Sequence, residues 1–292
     1  MKGDYMESSL RLYMRFGLFL KILLVNIFMV ILSFSLPVAE NKHIESILIA
    51  ATFIFGTIYS FEIFIVLGNF TELKKLLATE TANLVFIYHT AKDIGDGFLK
   101  EMQEKIEKYI LTSIDYSLKY HVSSTDQDFL SIAEPIKTFE IKNERQKIAL
   151  ELIQKGFHHI VEARYQLTQV APREVGLSEW TMLFLLGFVL IIILFFGREA
   201  DITSKLFSAI FAANVVGTLL LLNEADSNHI QETKLEYEIF NQVLKDIGVL
   251  PYYPKFAINK GLIKPDKHAP YRIGIFPKYP GLSERKIEII GA

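Results

Sequence analysis

Apolar positions along the chain gather into four long blocks, and the segments between them keep a helical period. Crossing roughly 30 Å of hydrocarbon takes about 20 apolar residues. Four windows reach or approach that length: Phe16 to Leu36, Ile47 to Phe70, Trp180 to Phe196 and Leu206 to Leu222. The polar run PVAENKHIES joins the first two, and GREADITSK joins the last two. The pattern therefore predicts a mainly α, polytopic membrane protein with four transmembrane helices in two hairpins. A signal peptide competes for the first block, because Lys2, Arg11 and Arg15 precede it. The block outruns the roughly 7 to 15 residues of such a segment and contains Lys21, which favours a retained helix.

Between the hairpins the spacing is amphipathic. Leu76, Leu77, Leu84, Val85, Ile87 and Tyr88 form one broad apolar face, which DIGDG at 93–97 interrupts. Phe98, Met102, Ile106, Tyr109, Ile110, Ile114 and Leu118 then recur at three- and four-residue steps and predict a second helix. Ser123, Ser124 and Asp126 read as a loop with a helix cap before Phe129. A third helical region is expected from about Asp128 toward Val170, with Pro135 near its start and Ala171-Pro172 at its end. Its charges from Glu140 to Lys147 read as a solvated face. The last segment carries a helix around Glu232 to Ile247. It then turns rich in Pro, Gly and Tyr, with one or two small strands such as Tyr271 to Phe276. These shifts divide the chain into an N-terminal flank and first hairpin (1–70), a helical segment (71–177), a second hairpin (178–223) and a small mixed tail (224–292).

Lys and Arg near the helix ends set the expected orientation. The first flank carries Lys2, Arg11 and Arg15, while the first turn has Lys42 alone; Lys74, Lys75, Arg164 and Arg173 border the central segment. Arg198 and Lys205 in the second turn weaken the contrast. Both termini and the central segment are thus expected in the cytoplasm of a multi-pass cell-membrane protein.

Composition narrows the function. With 31 Lys+Arg against 33 Asp+Glu, no basic surface for nucleic acid is expected. The 51% hydrophobic content and mean hydropathy of +0.28 exclude a disordered chain. Zero Cys removes disulfides, thiolate metal sites and cysteine nucleophiles together. The sequence contains no HExxH, GxxxxGK[ST], GxGxxG or GxSxG motif, so the reading is not an enzyme and calls for no cofactor and no metal. Asn223, Glu224, Asp226 and Asn228 offer oxygen ligands without EF-hand spacing, and read as a solvated helix end.

Polar residues inside membrane blocks are costly, so Lys21, Asn26, Glu62 and Asn214 are the candidate pore or intramembrane polar residues. Lys21 and Glu62 lie equally far from the middle of the first turn, and should share one depth. A structural ion pair, snorkelling of Lys21 and an ion path all remain open at this point. Ser208, Ala209, Ala212, Ala213 and Gly217 form a small-residue face for close helix packing, against either this chain or a second protomer.

The layout resembles the bestrophin-like membrane proteins of unknown function found in prokaryotes. The local likeness lies in ETANLVFIYHTAKDI with the helix after it, and in ARYQLTQVAPREVGLSEWTMLFLLG. It spans roughly Leu18 to Leu222, with Arg164, Pro172 and Trp180 as its most particular points. Bestrophins are pentameric anion channels with hydrophobic pore constrictions and, in animals, a calcium clasp. Their aromatic pore motif and acidic clasp run are not found here, so no site residue carries over. The resemblance implies an oligomeric membrane channel, a homo-oligomer in a lipid bilayer with an inorganic anion as the permeant partner. The alternative is a non-transporting scaffold or sensor that docks a partner through its cytoplasmic helices.

Overall fold

The computed structural model describes residues 20–37, 44–116, 121–170, 175–226, 229–266, 268–276 and 285–291. In chain order its elements are α1 (Leu20–Ser35), α2 (Ile44–Ala91), α3 (Asp96–Asp115), α4 (His121–Ser131), α5 (Ala133–Thr138) and α6 (Glu144–Val170). There follow α7 (Leu177–Phe196), α8 (Ile202–Asp226), α9 (His229–Asp246), β1 (Tyr252–Pro254), α10 (Lys255–Asn259), β2 (Tyr271–Ile275) and β3 (Lys286–Ile290). They form two compact units, residues 1–68 with 174–228 and residues 69–173 with 229–292, and α2 contributes to both.

In the first unit, α2, α7 and α8 are long and apolar enough to cross a membrane, and α1 is a shorter apolar helix. The expected first block starts before α1, and its residues 16–19 lie outside the described residues. Phe55 of α2, Leu183 and Leu190 of α7, and Val215, Leu219 and Leu222 of α8 share one buried cluster. A Cβ placed on Gly187 would lie 3.3 Å from Val215 and 3.4 Å from both Leu219 and Phe55, so hydrogen is what lets α7 approach its neighbours. Gly187→Leu is therefore expected to separate α7 from α2 and α8. Fluorescence of Trp180, the single tryptophan, reads this as a shift toward the spectrum of a solvated indole at lower temperature than in the wild type.

The turn after α7 is tied down by Arg198, which is buried. Its guanidinium donates to Phe195 O at the end of α7, and to Ser33 O (2.6 Å) and Leu36 O (2.5 Å) at the end of α1. A cation there satisfies carbonyls that helix ends leave without partners and meets their negative dipole.

The second unit grows from the amphipathic spacing. Leu76, Leu77, Leu84 and Ile87 of α2 pack against Met102, Ile106, Tyr109 and Ile110 of α3, Ile153 and Ile160 of α6, and Phe240 and Leu244 of α9 in one core. DIGDG breaks the pattern as expected. α2 ends in a turn over 92–94, and Gly95 opens α3 at φ 142°, which a side chain adopts at a cost. Leu118 falls outside the described residues.

Two local expectations are corrected. Ser123, Ser124 and Asp126 are helical, inside α4. Thr125 beside them is buried and accepts from Arg164 Nη1 (3.0 Å), so this segment faces the core instead of solvent. The region from Asp128 to Val170 is not continuous: α4 and α5 end at Ser131 and Thr138, and α6 starts afresh at Glu144 after a non-helical 139–143. Asn143 Oδ1 accepts the backbone N–H of Gln146 (2.9 Å) and caps that new start.

The tail forms a three-stranded sheet in the order β1-β2-β3. β1 runs parallel to β2, pairing Tyr252 with Arg272, and β2 runs antiparallel to β3, pairing Gly274 with Ile287. The strand expected at Tyr271 to Phe276 is thus the middle strand.

Candidate functional site

Polar residues of the first unit do not converge on one point. Lys21 is exposed on α1, and Asn26 is half-buried with its amide donating to Ile22 O (2.8 Å) of its own helix. Glu62 is half-buried on α2, and the charges acting on it are Glu179 and Asp226, with Lys21 not among them. Asp226 accepts the N–H of Val175 (2.9 Å) and Nε1 of Trp180 (3.3 Å), so it closes the start of α7 onto the end of α8. Asn214 is exposed on α8. Ser208, Ala209, Ala212, Ala213 and Gly217 are all buried. Ala209, Ala212 and Ala213 share a cluster with Met29 of α1 and Phe195 of α7, so helices of this chain cover that face. Asn228 lies outside the described residues. Among the described residues, no group of three His, Asp or Glu side chains is placed to hold a metal ion.

The largest concentration of buried polar chemistry lies in the second unit. Glu80 of α2, Tyr109 of α3, His121 and Thr125 of α4 and Arg164 of α6 are each at most 3% exposed. Tyr109 donates its hydroxyl hydrogen to Glu80 Oε1 and accepts from Arg164 Nη1 (2.5 Å). Arg164 also donates to Thr125 Oγ1 (3.0 Å) and Val122 O (3.1 Å). His121 Nε2 lies 3.3 Å from Glu80 Oε1 and 3.2 Å from the Tyr109 hydroxyl. The Arg164 guanidinium sits 4.3 Å from the centre of the Phe129 ring and 5.3 Å from that of Tyr109, in cation–π range. Four helices are thus joined through one carboxylate and one guanidinium. Burial works against the Glu80 charge, but the facing His121, Arg164 and Tyr109 hydroxyl outweigh it and hold the carboxyl below its usual range. The same burial, reinforced by the Glu80 charge, keeps the Tyr109 phenol protonated far above its ordinary range.

A second cluster fastens the sheet to α3. Asp115, fully buried, accepts from the Tyr252 hydroxyl (2.7 Å) and from Arg285 Nη1 (2.7 Å). Burial pushes its carboxyl up to about 6 despite both partners. Asn241 of α9 holds Tyr252 at the backbone through N–H to Oδ1 (2.6 Å) and Nδ2 to O (2.9 Å). A Cβ on Gly274 would run into the Tyr252 hydroxyl, so glycine is what admits that ring beside β2. Arg272 meets Glu107 of α3 and donates Nη2 to Leu250 O (2.8 Å).

Of the first cluster, only Arg164 stood out in the sequence. Glu80 left a signal, a lone carboxylate on the face made by Leu76, Leu77, Leu84 and Ile87. Neither cluster contains a nucleophile set against a base with a cleft beside it; both are polar pins inside a packed core.

The fold now meets its relatives. A family model described as the bestrophin-like domain matches residues 22–229. This chain belongs to the bestrophin-like family. The matched range takes in α2 through α8 and all but the first two residues of α1, including the Glu80–Tyr109–His121–Arg164 cluster. Among solved structures, a crystallised membrane-protein variant is 13% identical with a TM-score of 0.58, covering 80% of this chain and 98% of its own. A crystallised variant of the bacterial bestrophin homologue from Klebsiella pneumoniae is 14% identical with a TM-score of 0.54, covering 80% of this chain and 99% of its own. At such identities the likeness establishes the bestrophin fold and nothing finer. No curated protein sequence matches the chain.

Proposed function

We propose that this bestrophin-like membrane protein is an oligomeric channel in the cell membrane, with α2 of each protomer lining a path for inorganic anions. The observation that carries the reading is one stripe on α2. Phe53, Thr57, Ser60, Phe64 and Leu67 are all exposed and recur in steps of four and three residues, so they share one face along the length of the helix. The membrane window of α2 is 6% buried by its own chain, against 39% for α8, so α2 has the most surface left for other protomers. Thr57 and Ser60 return their hydroxyl hydrogens to Phe53 O (2.8 Å) and Gly56 O (2.6 Å), which lets them sit in apolar surroundings. Rings of Phe53 and Phe64 would form constrictions that gate by dewetting.

In this reading the bilayer holds four spans in two hairpins, with α1 as the first and the 71–177 segment and both termini in the cytoplasm. Lys21, Asn26, Glu62 and Asn214 lie off that stripe, with Glu62 on the opposite face of α2 under the charges of Glu179 and Asp226, so they would act on conduction from behind the lining. The test is ion flux from liposomes holding the purified protein, with its oligomeric mass measured in the same detergent. A defined oligomer is expected to pass chloride, and Ser60→Trp to abolish the flux while leaving the mass unchanged. Thr57→Lys, on the stripe itself, is expected to raise chloride permeability relative to sodium several-fold, because an ammonium at the path attracts anions. A rise in sodium permeability instead would overturn the anion assignment.

A second reading has an observation of its own. Phe86 of α2 and Ile148 and Leu152 of α6 are 42%, 53% and 42% exposed, an apolar surface suited to a docked partner of a non-transporting scaffold or sensor. A defined oligomer that passes no ion would favour it.

A further inference from the structure

We infer that β3 pairs with the β3 of a second copy of this chain, antiparallel and centred on Ile287, joining two three-stranded sheets into one of six strands. β3 is an outer strand, bonded to β2 on one side; among the described residues no strand bonds its other edge. Natural edge strands are blunted by proline, bulges or charged side chains, lysine above all. β3 has no proline and no bulge in its pairing with β2. Its two charges, Lys286 and Glu288, pair with each other at 3.2 Å, while Ile287, Ile289 and Ile290 are 39%, 57% and 39% exposed.

Symmetry then selects the register. A two-fold axis perpendicular to the sheet must pass through a residue pair, because side chains alternate faces along a strand. Centred on Glu288, the pairing sets that carboxylate against its own copy, with like charges directly opposed. Centred on Ile287, it sets Lys286 opposite Glu288 of the partner subunit, and the symmetry repeats the pair, giving two favourable cross-strand contacts. The same register brings the two Ile287 side chains together on the face that carries Gly274. The contact is isologous, so it joins protomers two at a time and closes no ring. It is therefore separate from the α2 stripe and does not rest on ion conduction.

The chain has no cysteine, so a single introduced thiol reports the pairing in the intact protein. Directly opposed residues have Cβ atoms about 4.5–5.5 Å apart, near the reach of a disulfide. Mild oxidation of full-length Ile287→Cys in detergent is expected to give a covalent dimer on a denaturing gel, at several times the yield of Ile290→Cys, which faces no copy of itself. Adding Lys286→Glu to Ile287→Cys should cut the yield several-fold, and adding Glu288→Lys as well should restore it. Glu288→Cys as the faster cross-linker, equal yields at 287 and 290, or indifference to charge reversal would each overturn the proposal. Slow amide exchange over Tyr271–Ile275 in every variant establishes that the sheet has formed.

Discussion

Replacing Arg164 with methionine is expected to destabilise the second unit by about 3–5 kcal/mol, the usual cost of leaving a buried charge without its partner. Methionine fills much of the arginine stem over Phe129, so lost packing is not the main effect. Glu80 is what suffers. It is fully buried, and Arg164 is the one permanent cation acting on it. Tyr109, Thr125 and the Val122 carbonyl lose their donor at the same time. Arg164→Lys should rescue only part, since one ammonium cannot reach three acceptors that a planar guanidinium spans. Removing the charge on both sides, with Glu80→Leu and Arg164→Met together, should recover most of the loss. Trp180 lies in the first unit and is a poor reporter here, so the measurement is amide exchange along α3 as a function of urea. An Arg164→Met protein whose α3 amides open at the wild-type urea concentration would sink the idea that this pair anchors the four helices.

Asp115 should make the same unit pH-sensitive in the opposite sense to Glu80. Its carboxyl sits at about 6 in the folded chain against an ordinary value of 3.8. The folded state thus holds the proton more tightly than the unfolded one. The stabilisation from that protonation is complete below about pH 4 and disappears as pH rises through 6. At 1.36 kcal/mol per pKa unit, the change amounts to about 3 kcal/mol. Glu80, held low, contributes stability at neutral pH that falls away on acidification, and both proteins in the comparison below carry it. Wild type and Asp115→Asn compared from pH 4 to 7 should therefore diverge steadily, with the variant gaining relative stability as pH rises. Loss of the Arg285 pairing adds a constant offset and leaves the slope as the informative quantity. Parallel profiles over that range would show that Asp115 is already ionised at pH 4.

The backbone of this protein was legible wherever spacing alone decides it. α7 and α8 follow from unbroken apolar windows, α3 from residues at three- and four-residue steps, and the break before it from DIGDG. Boundaries set by polarity were read less well. Hydropathy falls near Thr71, where the sequence divides into segments, yet α2 continues through it because no proline or turn sequence interrupts the backbone ladder. Ser123 and Asp126 read as loop because their propensities favour caps, whereas the inward bond of Thr125 and burial of His121 make α4. The polar cores were the least visible. Glu80 could be singled out as an exception on an apolar face, but Tyr109, His121 and Arg164 come from three other helices, and nothing local announces which of them meet. The Lys21–Glu62 relation shows the reverse: equal distance from a turn suggests a pair, whereas the charges that act on the carboxylate are those of Glu179 and Asp226.

The unbroken run of α2 bears on how the chain is made. Starting a helix in water is costly, because several residues must be fixed before the first bond forms, while extending one costs little per residue. The apolar first half of α2 leaves the ribosome before the rest and becomes helical on entering lipid, where its amides have no other partners. The turns from Glu72 to Ala91 then elongate from an existing end. Glu80 is thereby carried on a helix that grows from an existing end, while Tyr109, His121 and Arg164 come from segments synthesised later.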